Sequence, residues 1–161
     1  GGVMKSAPSS GLLVLVLLLV VGAGVFWFAR RGMKADLEVV REIDRTVMAD
    51  YVRLVGEGKL GEAWETCLAK SYRDEVPREK FVSAHEKRRA EAGALQGAKL
   101  LRHSAHRNLF SRTRTFHLLY ELSYPAGPQP QYAVVDDADG AFRIEGTYHE
   151  GAGETLDFLL W

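Results

Sequence analysis

The sequence predicts an α+β domain behind a membrane anchor: one transmembrane helix, then three helices packed on a four-stranded antiparallel sheet. Three observations predict it. An uncharged apolar stretch, GLLVLVLLLVVGAGVFWF, occupies residues 11–28. Apolar residues then recur at helical spacing up to about Ala92. Beyond Gly93 the period changes to two, which is the strand period. Helices first and a meander afterwards is an α+β order rather than a βαβ order. The reading divides the chain into a tail (1–10), an anchor (11–31), a folded domain (35–150) and an apolar tail (151–161).

The anchor comes first. As a helix rising about 1.5 Å per residue, residues 11–28 cover about 27 Å, close to the ~30 Å of a bilayer's hydrocarbon core. Phe26, Trp27 and Phe28 stand where an aromatic belt belongs, and Arg30, Arg31 and Lys34 follow with stems long enough to reach headgroups. Trp27, Arg30 and Arg31 are therefore the expected membrane-interface residues. A cleaved export signal is the rival reading, with Lys5 as its positive region and Val21-Gly22-Ala23 as its cleavage site. Against cleavage, the apolar run continues five residues past Ala23 and ends in large aromatics. The excess of Arg and Lys after the span favours a cytoplasmic domain by the positive-inside rule.

Downstream, Leu37, Val40, Ile43, Val47, Met48, Tyr51 and Val55 form one helical stripe, predicting a helix over 35–55. The anchor runs almost directly into it, with Gly32 the expected bend. Gly56 and Gly58 close that helix, and a short one follows over 60–69 with Leu60, Ala63, Trp64, Cys67 and Leu68 on one side. Pro77 suits the first turn of a third helix over 77–92, with Phe81, Val82, Ala84, His85 and Ala92 as its apolar positions. Strands are expected over 100–109, 113–124, 132–135 and 141–148. The second alternates most clearly, setting Phe116, Leu118, Tyr120, Leu122 and Tyr124 on one face. Pro125 to Pro128 reads as a turn, and Asp137-Ala138-Asp139-Gly140 as a hairpin tip.

Several motifs can be weighed directly. Gly56, Gly58 and Gly61 fit the letters G-x-G-x-x-G, but the dinucleotide fingerprint follows a strand, and here a helix precedes it. His85-Glu86 lacks the second histidine four residues on, where Arg89 stands, so no zinc-protease site is encoded. His103 and His106 fall on opposite faces of a strand. A single cysteine, Cys67, excludes an intrachain disulfide and a cysteine-based zinc site. Neither a metal nor another cofactor is expected. Zero formal net charge gives no global pull toward nucleic acid.

The segments around Tyr51, "GKLGEAWETC", "PREKFVSAHEKRRAEAGAL" and "FRIEGTYH", resemble the cone-shaped superfamily of nuclear transport factor two and ketosteroid isomerase. They are most similar to its small bacterial domains of unknown function. The resemblance implies a cone fold whose curved sheet and helices enclose a pocket. It also favours an extracytoplasmic domain, against the charge rule. The candidate pocket residues are Tyr51, Trp64, Tyr72, His85, His117, Tyr120 and Tyr148. No acid lies on the alternating face of Phe116 to Tyr124, so the isomerase's acidic base and oxyanion donor have no counterpart there. The bland alternative makes these residues core or rim, with Trp64 the largest core side chain and Cys67 a small buried apolar group.

The most visible charge feature is basic. Lys99, Arg102, Arg107, Arg112 and Arg114 occur with no acid between Lys99 and Thr115, while acids gather from Asp136 onward. This reads either as a surface for anionic lipid or an acidic partner, or as strands paired across the sheet with the acidic ones. The tail after Gly151 carries Leu156, Phe158, Leu159, Leu160 and Trp161, expected to fold back on the sheet or dock on another chain.

Three functions are therefore carried forward. The favoured one is a membrane-anchored binding or assembly module without catalysis, contacting a protein partner or itself through the sheet face or the tail. The alternatives are an isomerase-, cyclase- or dehydratase-like enzyme using the cone pocket, and binding of anionic lipid or an acidic partner through the basic strands.

Overall fold

The computed structural model describes residues 10–107 and 113–149. The chain divides into two units, residues 1–39 and residues 40–161.

The first unit holds most of helix α1 (Ser10–Ile43). The helix is long and apolar enough to cross a membrane. Val14 to Val21 and Val25 to Phe28 turn 49–77% of their surface outward, so no protein atoms bury them. The Arg31 guanidinium lies 5.0 Å from the centre of the Trp27 ring, a cation–π pair at the aromatic exit of the apolar run. At Gly32, where a bend was expected, the helix continues without a break.

The interruption comes later, as a π-helical turn over Asp44–Met48, with α2 (Ala49–Gly56) following. Inside the turn the Thr46 hydroxyl donates to the Glu42 carbonyl at 2.7 Å, a back-bond that competes with the regular ladder. Helix α3 (Leu60–Cys67) stops two residues before the expected end. Leu68 and Ala69 are extended instead, because they pair with the sheet: Leu68 bridges Ile144, and the Ala69 N–H donates to the Ile144 carbonyl at 2.8 Å. A helix absent from the sequence reading, α4 (Lys70–Glu75), then packs on the last strand. Helix α5 (Arg78–Ala92) is as expected.

The sheet is a four-stranded antiparallel meander in the order β1-β2-β3-β4. Its strands are β1 (Gly97–Arg107), β2 (Arg114–Tyr124), β3 (Gly127–Asp136) and β4 (Arg143–His149). β3 begins five residues earlier than expected, so Pro125 and Ala126 alone make the turn. Among the described residues β4 pairs with β3 only from Gln131 onward, so the N–H that Pro128 and Pro130 lack is not needed for a ladder bond on that edge.

The predicted alternation on β2 is observed: Phe116, Leu118, Tyr120, Leu122 and Tyr124 are buried, and Thr115, His117, Leu119 and Glu121 are half-exposed. The buried face meets the helices. Ile43, Val47, Met48, Tyr51, Leu54, Ala63, Cys67 and Phe81 complete the core with Ala133, Val135 and Ile144. The opposite face, with His117, Leu119, Glu121, Tyr132 and Val134, is half-exposed.

Candidate functional site

The interior between helices and sheet is where the sequence placed a pocket. One small cavity there measures about 10 Å³ and is lined by Val55, Leu60, His85, Arg88, Arg89, Gly93, Leu95 and Tyr124. That is room for about one water.

Two of the seven candidate pocket residues meet beside it. The Tyr51 hydroxyl and His85 Nε2 lie 3.2 Å apart. The Phe81 ring stacks against His85 with centres 4.3 Å apart, which fixes the imidazole. Burial first, and Tyr124 second, push the Tyr51 phenol well above its ordinary pKa, although Gln131 and Arg88 oppose the shift. Tyr51 therefore keeps its proton and serves as a hydrogen-bonding strut rather than a base.

Sequence reasoning missed three members of this cluster. Arg88 lies on the α5 face of Phe81 and His85, at helical spacing from both, and Arg88 Nη1 donates to Gln131 Oε1 at 3.3 Å. Gln131 sits on the buried face of β3 with Ala133 and Val135, only 4% exposed. Extending the period-two pattern back from Val135 would have found it. Tyr124 completes the group, and its buried hydroxyl has no hydrogen-bond partner among the described residues.

The other candidates are dispersed. The Tyr120 hydroxyl donates to Asp44 Oδ1 at 3.2 Å, and burial together with that carboxylate raises its pKa strongly. The Tyr72 hydroxyl meets Thr147 Oγ1 at 3.2 Å, joining α4 to β4. Trp64 is half-buried rather than the largest core group: Nε1 donates to the Val76 carbonyl at 2.9 Å, and Arg73 lies 5.4 Å over the ring. It fastens the segment after α4. His117 is on the sheet face away from the cavity, its pKa lowered by partial burial and then by His106 on the neighbouring strand. The Tyr148 side chain lies outside the described residues.

A larger cleft opens on the flank of the second unit, about 570 Å³ in volume. It lies between Glu42, Thr46, Val47 and Asp50 on one side and Arg114, Asp137, Phe142 and Arg143 on the other, with Cys67 at its floor. The size suits a small ligand, but Arg114, Asp137 and Asp50 are already engaged. Arg114 Nε donates to Asp137 Oδ2 at 2.8 Å, and its backbone N–H to Asp137 Oδ1 at 2.8 Å. Burial resists ionisation of Asp137, yet those bonds win and hold its pKa below the ordinary carboxylate value. Asp50 pairs with Arg53 at 3.2 Å. Burial pushes the Cys67 thiol up, so it is no thiolate nucleophile. Among the described residues no group of three His, Cys, Asp or Glu side chains is placed to hold a metal ion.

The basic stretch splits in the same way. Arg114 is paired across the sheet with Asp137. Lys99 and Arg102 are exposed, on the face away from the helices, opposite Glu121 and Leu119. The Arg107 and Arg112 side chains lie outside the described residues, as does the apolar tail.

No protein-family model matches the chain, and no curated protein matches it.

Proposed function

We propose that the chain is a single-pass membrane protein whose second unit is a cone-fold module that binds or assembles without catalysis. The engaged polar groups carry this reading. A pocket enzyme of the cone kind needs a titrating group free to act beside its substrate. The cavity beside His85 measures about 10 Å³, Tyr51 and Tyr120 are held in hydrogen bonds, and in the larger cleft Arg114 and Asp137 are paired with each other. The half-exposed sheet face supplies the contact surface. It presents Leu119 directly opposite Tyr132, with Val134 two residues along β3 opposite His117. An apolar cluster flanked by Lys99, Arg102 and Glu121 has the make-up of an interface core with a polar rim.

Sedimentation of the full chain in detergent tests the reading. Wild type is expected to self-associate, and the double substitution Leu119→Lys with Val134→Lys to run as a monomer with unchanged circular dichroism. Wild type sedimenting as a monomer, with no partner co-purifying, would overturn it. The exposed cations Lys99 and Arg102 favour a second reading, an acidic partner at the edge of the same surface.

A further inference from the structure

We propose that residues 101–106 of β1 are an open sheet edge at which an extended, acidic segment of a partner protein adds as a fifth strand. The inference rests on the unit's being a binding module, but it uses the edge of the sheet rather than the apolar face.

The two edges of the sheet differ. The β4 edge is guarded, since Leu68 and Ala69 lie along Ile144 and bond to it. β1 ends the sheet on the other side with no strand beyond it among the described residues. Its outer half also stands clear of the helix layer. His103 and Ala105 pair with Leu118 and Phe116 and so share the face that the helices bury, yet both are exposed. Leu101, Arg102 and His106 are exposed as well, Leu101 at 45%. Among the described residues, this length of strand is exposed on both faces and no strand pairs along its outer edge. In an antiparallel pair, residues not bonded to the neighbour turn their N–H and C=O groups outward. Those groups are what an added strand captures.

Charge selects the partner. Neither Lys99 nor Arg102 has an ion pair among the described residues, and no acid occurs between Lys99 and Thr115. A second copy of β1 would set these cations against each other, and like charges facing across strands destabilise the pair. A strand carrying carboxylates meets the opposite condition. The register shift between Leu100 and Arg102 marks a bulge at Leu101, leaving its side chain free to meet an apolar group of the incoming strand. Bulges and lysines on an edge guard against random pairing; here the same devices exclude the chain's own copies and admit an acidic strand.

The probe is a short fluorescent peptide alternating glutamate and valine, titrated by anisotropy onto the full chain in zwitterionic nanodiscs. Saturable binding is expected, with slowed amide exchange over residues 101–106. Methylating alternate peptide nitrogens is expected to abolish it. Lys99→Glu with Arg102→Glu is expected to weaken it about tenfold or more. Val134→Lys, on the same apolar face but on β3 rather than beside β1, is expected to leave it unchanged, which separates this edge from the proposed assembly surface. Absence of binding would overturn the inference, as would equal binding of a lysine–valine peptide or of the methylated one. So would amides 101–106 already protected in the free chain and exposed only when it ends at His149, which would make the occupant this chain's own tail.

Discussion

Glu145 shows how a single carboxyl couples this fold to pH. Burial raises its pKa, and the neighbouring Asp136 carboxyl and then Glu75 raise it further. A carboxyl with a raised folded pKa stabilises the fold below its unfolded pKa, near 4.5, and that contribution is lost as pH rises through the folded value. Ionising Glu145 beside Asp136 therefore costs the folded chain more than the unfolded one. Replacing Glu145 with Gln removes that cost. Glu145→Gln is expected to exceed wild type in stability at pH 7, with the gap closing as pH falls below about 4.5. Urea unfolding in detergent across that range checks it; a gap of constant size would show that Glu145 titrates normally. The Tyr51, His85, Arg88 and Gln131 cluster is a different kind of polar group, with its members hydrogen-bonded to one another. Such groups specify one arrangement of helix against strand rather than adding much net stability.

Elements were legible where one face is buried and the other is not. β2 shows this best, since its five inward residues from Phe116 to Tyr124 are all apolar or aromatic in alternate positions. Helix α4 was illegible because none of its six residues is buried, so no stripe marks it. The π-helical turn was hidden too: Ile43, Val47 and Tyr51 keep a spacing that a regular helix also satisfies. The start of β3 was masked by its prolines, which read as loop until the pairing of β3 with β4 is known. Gln131, one member of the interior cluster, was lost with that strand start. The glycine pattern after α2 was read correctly. The Gly58 N–H bonds the Val55 carbonyl at 3.1 Å and the Lys59 N–H bonds the Leu54 carbonyl at 2.8 Å, with Gly58 at φ +78°. That is a Schellman cap, which ends a helix and cradles no phosphate. Gly58→Ala is expected to cost about 1–2 kcal/mol, the strain of a left-handed alanine. Gly58→Asn is expected to cost less, because asparagine tolerates that conformation. Thermal unfolding of the two variants decides; a neutral Gly58→Ala would mean that the turn rearranges.

At the scale of the whole molecule, everything proposed for the second unit presumes that the first stays attached. The apolar helix has its large side chains fully displayed, with Leu17, Leu18, Leu19 and Val20 each about two-thirds exposed. In water, four leucine- or valine-sized groups left unburied forgo about 1.5–3 kcal/mol each. In a bilayer the same groups are at home, and the helix satisfies its own backbone hydrogen bonds. The Trp27 and Arg31 pair then lies at the end of the hydrocarbon, where an aromatic ring and a cation both gain from the interface. A retained anchor is therefore expected to resist alkaline extraction from membranes and to yield an intact mass that includes residues 11–28. Leu17→Arg with Val20→Arg, each costing about 2.5–3.5 kcal/mol near the middle of a span, is expected to move the chain into the extracted fraction. A product that starts just after Ala23 and is recovered free of membrane would instead make the segment an export signal. The sheet face and the β1 edge would then have to find their partners from solution, without the two-dimensional confinement that makes weak contacts between anchored proteins effective.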